Sequence, residues 1–113
     1  MRVKEIAAAT NLKLLAGDGE RRVTGGVYTC DLLSMVMGRA PEGSAWVTVM
    51  CNQNSIVTAM MADVACVVFA EGIQPDDAML ERAREENIAV LVSESPIYPT
   101  ARLIDKLLAR PLA

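Results

Sequence analysis

A chain of 113 residues is one domain's worth, and with 52% hydrophobic but only 4% aromatic residues its core has to be aliphatic, built from Val, Ile, Leu, Ala and seven Met. A net charge of −3, no His and scattered Lys and Arg argue against a phosphate-backbone footprint and a polybasic membrane face, so neither nucleic acid nor membrane is an expected partner. Cys30, Cys51 and Cys66 are odd in number and far apart, which fits reduced thiols; the N-terminus has no uninterrupted apolar stretch, and no apolar run approaches the roughly 20 residues of a bilayer span, so a soluble cytoplasmic protein is expected.

Val3, Ile6 and Ala7 stand at helical spacing, and Leu12, Leu14 and Leu15 follow as a brief extended piece ending at Gly17-Asp18-Gly19. This first helix packs on the core; it is not half of a helix-turn-helix, because no basic recognition helix follows. The chain is organised around residues 22–37. Gly25 and Gly26 precede a strand at Val27-Tyr28-Thr29-Cys30, Asp31 sits where a helix N-cap is wanted, and Leu32, Leu33, Val36 and Met37 recur as one buried helical face. A loop over 38–44 leads to a second strand, residues 45–50. Cys51-Asn52-Gln53-Asn54 then offers caps for a helix with Ile56, Val57, Met60 and Met61 on its apolar face.

The continuous apolar run over 65–70 predicts a strand covered on both faces, ended by Glu71-Gly72. Pro75 with Asp76 and Asp77 opens a helix facing inward through Met79, Leu80 and Ala83. The fourth strand is Ala89-Val90-Leu91-Val92. Ser93-Glu94-Ser95-Pro96 caps a last helix with Ile97, Ala101, Ile104 and Leu108 at helical spacing, despite Pro99, and the tail frays at Arg110-Pro111. The expected fold is α/β: a mainly parallel four-stranded sheet with helices on both faces, in a single compact domain over residues 1–113.

In open α/β sheets ligands sit at the carboxyl ends of strands, and that edge collects Cys30, Asp31, Cys51, Asn52, Asn54, Glu71, Gly72, Ser93 and Ser95. Such amides, hydroxyls and helix N-termini suit an anion or small metabolite, and equally suit the plain task of capping helices. Gly25-Gly26 precedes a strand, so it is neither a phosphate loop nor a dinucleotide fingerprint; it marks a turn or a close contact across a subunit interface. Catalysis lacks a general base, since there is no His and no Ser or Cys with a recognisable base partner; a non-enzyme without cofactor or metal is expected. Cys30 and Cys51 could meet at adjacent strand ends as a redox or metal pair, though buried structural thiols are the simpler reading, and the Met residues read as core filling.

The run Arg22-Val23-Thr24-Gly25-Gly26, with Asp31-Leu32-Leu33-Ser34-Met35-Val36-Met37, Trp46-Val47-Thr48 and Asn54-Ser55-Ile56-Val57, resembles the DRTGG domain family over essentially the full chain. Arg21 stands where the family's name has Asp, and Val23 is inserted before Thr24. The family's domain occurs by itself, within pyrophosphatases that carry CBS domains and ahead of phosphate acetyltransferase domains, and it is similar to the N-terminal domain of HPr kinase. The resemblance implies a non-catalytic regulatory and dimerising module that binds a partner protein. A homodimer is expected through Thr24, Gly25, Gly26, Val27, Tyr28 and Asp31. The alternative is a small-molecule sensor, for an adenine nucleotide or other anion, with Arg22, Thr24, Asp31, Asn52, Asn54, Glu71, Gly72 and Ser93 as binding candidates. A thiol-based redox or metal protein is a third class.

Overall fold

The computed structural model describes residues 1–109; the fraying expected at Arg110-Pro111 lies outside the described residues. In chain order the elements are α1 (Val3–Ala9), β1 (Lys13–Ala16), β2 (Val27–Thr29), α2 (Leu33–Arg39), β3 (Ala45–Thr48), α3 (Gln53–Met61), β4 (Cys66–Phe69), α4 (Asp77–Glu85), β5 (Val90–Val92) and α5 (Ile97–Leu108). They form a five-stranded mixed sheet in the order β1-β5-β4-β3-β2. The four expected parallel strands are present as β2 to β5. The fifth is the brief extended piece after α1, which becomes β1 and pairs antiparallel with β5, Lys13 opposite Val92 and Leu14 opposite Leu91.

β2, β3, β4 and β5 follow one another across the sheet without a reversal. Right-handed crossovers that always advance in one direction place their helices on one face. On that face Val36 of α2, Ile56 and Ala59 of α3, and Met79 and Ala83 of α4 pack on Trp46, Val67, Phe69, Val90 and Val92. On the opposite face Val3 and Ile6 of α1 and Ile104 and Leu107 of α5 pack on Val47, Cys66, Val68 and Leu91. Helices therefore cover both faces, as expected. β3 and β4 are buried throughout because both their faces are covered and both their edges paired.

The helix ends show which local signals the fold uses. Asp76 caps α4 by accepting from the Met79 N–H at 2.8 Å, and Asn52 caps α3 by accepting from Ser55 N–H at 3.1 Å. Asp31 does not cap α2; Leu32 holds the cap position without a side-chain hydrogen bond. Pro99 falls in the first turn of α5, where its missing N–H costs nothing. The apolar faces expected for α2 and α3 are only half buried. Val36 is enclosed, but Leu32, Met37 and Met61 are exposed by 58%, 43% and 64%. The methionine core fails in the same way: Met79 is enclosed, while Met35, Met37, Met50 and Met61 face solvent.

Candidate functional site

The candidate residues divide between the two ends of the sheet. Arg22, Thr24, Gly25 and Gly26 precede β2 and lie at the amino ends of the parallel strands. Asp31, Asn52, Asn54, Glu71, Gly72 and Ser93 follow strands and lie at the carboxyl ends. One ligand contacting both Arg22 and Asn54 would have to span the sheet, so the full set is not one site.

The amino end is a set of loops bonded to one another. Thr24 N–H and Gly25 N–H both donate to the Gly43 carbonyl at 3.0 Å, Gly43 N–H donates to Asp63 O at 2.9 Å, and Ala45 N–H donates to Gly26 O at 2.8 Å. Gly25 is required by close approach, since a Cβ there would stand 2.5 Å from Glu42 O and 2.8 Å from Ser44 N. That tight contact is made inside the chain, to the loop before β3. Gly26 is required by its backbone, with φ of +73° and open space around a Cβ. Arg21 completes the clasp: it pairs with the Asp63 carboxylate at 2.5 Å and donates to Asp63 O at 2.9 Å and Val64 O at 3.3 Å. This guanidinium holds the Asp63 carboxyl below its ordinary value. A cavity of about 250 Å³ opens here between Glu20, Arg21, Asp63, Glu86 and Asn87.

At the carboxyl end most of the polar groups are taken up by neighbouring segments of the chain. Asp31 Oδ1 accepts from Thr48 Oγ1 at 2.7 Å and Val49 N–H at 3.0 Å, fastening the end of β2 to the end of β3. Trp46 adds a second tie, donating from Nε1 to Cys30 O at 2.9 Å. Glu71 and Gly72 turn with φ of 64° and 70°, and their N–H groups donate to Ser95 O at 2.8 Å and Ser93 O at 2.9 Å. Ser93 is buried; its hydroxyl pairs with Thr100 Oγ1 at 2.7 Å and accepts from Ser95 N–H at 3.1 Å, anchoring α5. Asn54 is the candidate left exposed in the first turn of a helix, beside a groove shared with Leu33, Met37 and Val57.

Two further properties weigh on ligand binding. The rule that put a ligand at this edge depends on a point where the strand order reverses, and the parallel strands here have none. Across segments 30–31, 49–54, 70–77 and 93–96 every charged side chain is a carboxylate, Asp31, Glu71, Asp76, Asp77 and Glu94, so the local field repels an anion. The cysteines are free. Cys51 Sγ lies 4.0 Å from Met79 Sδ, and burial, aided by Asp76, pushes its thiol up to about 11. Cys66 is enclosed in the sheet and raised to about 12. Raised thiols are poor nucleophiles and poor metal ligands. Among the described residues no helix is long and apolar enough to cross a membrane.

Sequence reasoning missed the exposed apolar side chains of α2 and α3 and the free edge of β2. Periodicity marks apolar positions without saying which are covered.

The family model for the DRTGG domain matches residues 5–107. No curated protein sequence matches the chain. Among solved structures, the crystal structure of the CBS and DRTGG domains of the regulatory region of Clostridium perfringens pyrophosphatase, complexed with the activator diadenosine tetraphosphate, is similar with a TM-score of 0.77 at 17% identity. The match covers 92% of this chain and 46% of that one, so this chain spans less than half of its neighbour's length, and the likeness is one of fold. The family match runs from α1 through α5 and takes in the clasp of Arg21 to Gly26: the chain belongs to the DRTGG domain family.

Proposed function

We propose that this domain is a non-catalytic regulatory module that pairs with a second copy of itself and presents its α2–α3 face to a protein partner. The observation that carries the reading is Met37, 43% exposed beside an apolar groove that α2 and α3 share, with Leu32, Met50 and Met61 exposed by 58%, 38% and 64% on or next to the same two helices. Methionine side chains are flexible and polarisable, which suits a surface that adapts to another protein. Family membership supports a regulatory role, as does the neighbouring fold's place in the regulatory region of a pyrophosphatase. The absence of His from the sequence and the raised thiols add support for a role without catalysis.

The test is affinity capture from the source organism's extract with wild-type protein and with Met37→Glu. Exposed Met37 tolerates the change, so the variant keeps its melting temperature. A partner retained by the wild type and lost by the variant is the expected result. Identical captures would remove this face from the function.

Diadenosine tetraphosphate in the neighbouring structure favours a second reading, a nucleotide sensor at the carboxyl edge. It predicts that diadenosine tetraphosphate or ATP raises the melting temperature and that Asn54→Ala abolishes the rise. The carboxylates on that edge oppose it, and the expected result is no rise.

A further inference from the structure

β2 is the outermost strand of the sheet, paired with β3 on one side and with nothing on the other among the described residues. The direction of its backbone groups follows from the ladder. Ala45 N–H donates to Gly26 O, and the parallel register Val27 to Ala45 and Tyr28 to Trp46 then commits the Tyr28 N–H and C=O to β3. The N–H and C=O of Val27 and Thr29 therefore point away from the sheet, and among the described residues they meet no hydrogen-bond partner. Beside this edge a groove runs between β2 and α5, lined by Val27, Thr29, Tyr98, Ala101, Arg102 and Asp105.

We propose that a second copy of this chain joins here, β2 against β2 in antiparallel, about a two-fold axis through Tyr28, so that two sheets become one. The inference rests on the self-pairing half of the function proposed above and gives it a place and a register. Two observations select a second copy as the occupant. The edge is complementary to itself: with Tyr28 on the axis, Val27 of each copy stands opposite Thr29 of the other, and in an antiparallel ladder such a pair exchanges both its hydrogen bonds. The two pairs together satisfy every outward group of both strands. A register centred on Val27 or Thr29 would satisfy only one pair.

The second observation is charge. Arg102 and Asp105 are three residues apart on α5 and both line the groove. A two-fold axis runs the two α5 helices antiparallel and sets a face with one cation and one anion against its own reverse, and the pairing we infer is Arg102 of each copy with Asp105 of the other. Tyr98, 71% exposed at the mouth of the same groove, gains cover in the assembly. A strand of three residues is a weak template by itself. The inferred ion pairs favour this register over its neighbours.

Sedimentation equilibrium on four proteins tests this. The wild type is expected at twice the monomer mass at micromolar concentration. Thr29→Pro removes an outward donor without touching the β3 ladder and is expected to sediment as a monomer with an intact circular dichroism spectrum. Asp105→Arg sets like charges face to face and is expected to weaken association by about tenfold or more. Arg102→Asp combined with Asp105→Arg restores opposite charges and is expected to recover the dimer. Should Thr29→Pro fail to fold, the charge reversal and its rescue decide alone. A monomeric wild type would overturn both this inference and self-pairing. A wild-type dimer indifferent to Thr29→Pro and Asp105→Arg would overturn the edge geometry while leaving self-pairing through another face.

Discussion

At the amino ends of the parallel strands the loops hold one another: Thr24 and Gly25 bond to Gly43, Gly43 to Asp63, and Arg21 to Asp63 and Val64. At the carboxyl ends side chains do most of the holding, Asn52 within α3, Ser93 to α5 and Asp31 to the end of β3, while the Glu71 and Gly72 amides bond to Ser95 O and Ser93 O. In sequence both ends offer ligand candidates, Arg22 and Thr24 at one and the helix caps at the other, and the glycines mark a turn or a subunit contact. One glycine of a Gly-Gly pair, Gly25, is kept for the contact between two backbones, and the other, Gly26, for its φ. Strand-end amides already bonded to a neighbouring segment are not available to a ligand.

The largest expected losses are at the glycines. Gly25→Ala drives a Cβ into the backbone of Glu42 and Ser44, and is expected to cost about 3 kcal/mol or more in denaturant unfolding. Gly26→Ala meets open space and only the unfavourable φ of +73°, for about 1 kcal/mol. Equal costs would contradict the assignment of Gly25 to close approach. At the other end, Asp31→Ala leaves buried Thr48 Oγ1 and Val49 N–H without their acceptor, at about 1–2 kcal/mol. Were Asp31 a helix cap, the loss would appear in α2 alone; amide exchange at Val49 separates the two.

Asn52→Ala removes the α3 cap and should cost about 1 kcal/mol, whereas Asn54→Ala should cost less than about 0.5 kcal/mol. The pair of melts shows that one of these candidates is structural and the other free. The smallest effect is in acid. Arg21 holds the Asp63 carboxyl below its ordinary value of 3.8, so the ionised form favours the fold. That stabilisation is present above the unfolded value and disappears as pH falls through the lower folded one. Both groups are exposed and the contribution is small. The gap in melting temperature between wild type and Arg21→Ala is expected to narrow as pH falls below about 4, leaving only the part due to the Asp63 and Val64 carbonyls, and a gap indifferent to pH would contradict the pairing.

Much of the fold was legible in the residues. The apolar run 65–70 and the Val-rich strands on either side of it marked β3, β4 and β5, and Asn52 and Asp76 marked helix starts that cap as expected. β1 was legible only as an extended piece, because Lys13–Ala16 is four residues long and its partner β5 lies more than seventy residues away. Asp31 misled because an acid between a strand and an apolar helix looks the same whether it caps the helix or fastens two strand ends. Exposed Met35, Met37, Met50 and Met61 misled because methionine fills cores and interfaces alike. The outward groups of Val27 and Thr29 could not be read at all, since they depend on which side of β2 the sheet stops.

Amide hydrogen exchange across a dilution series separates hydrogen bonds made within the chain from those made to a second copy. The Gly25 amide, bonded to Gly43 within the chain, is expected to exchange slowly at every concentration. The Val27 and Thr29 amides are expected to exchange slowly when concentrated and quickly when dilute, because only a second copy accepts their hydrogen bonds. Fast exchange at Val27 and Thr29 at all concentrations, with Gly25 still protected, would contradict the account.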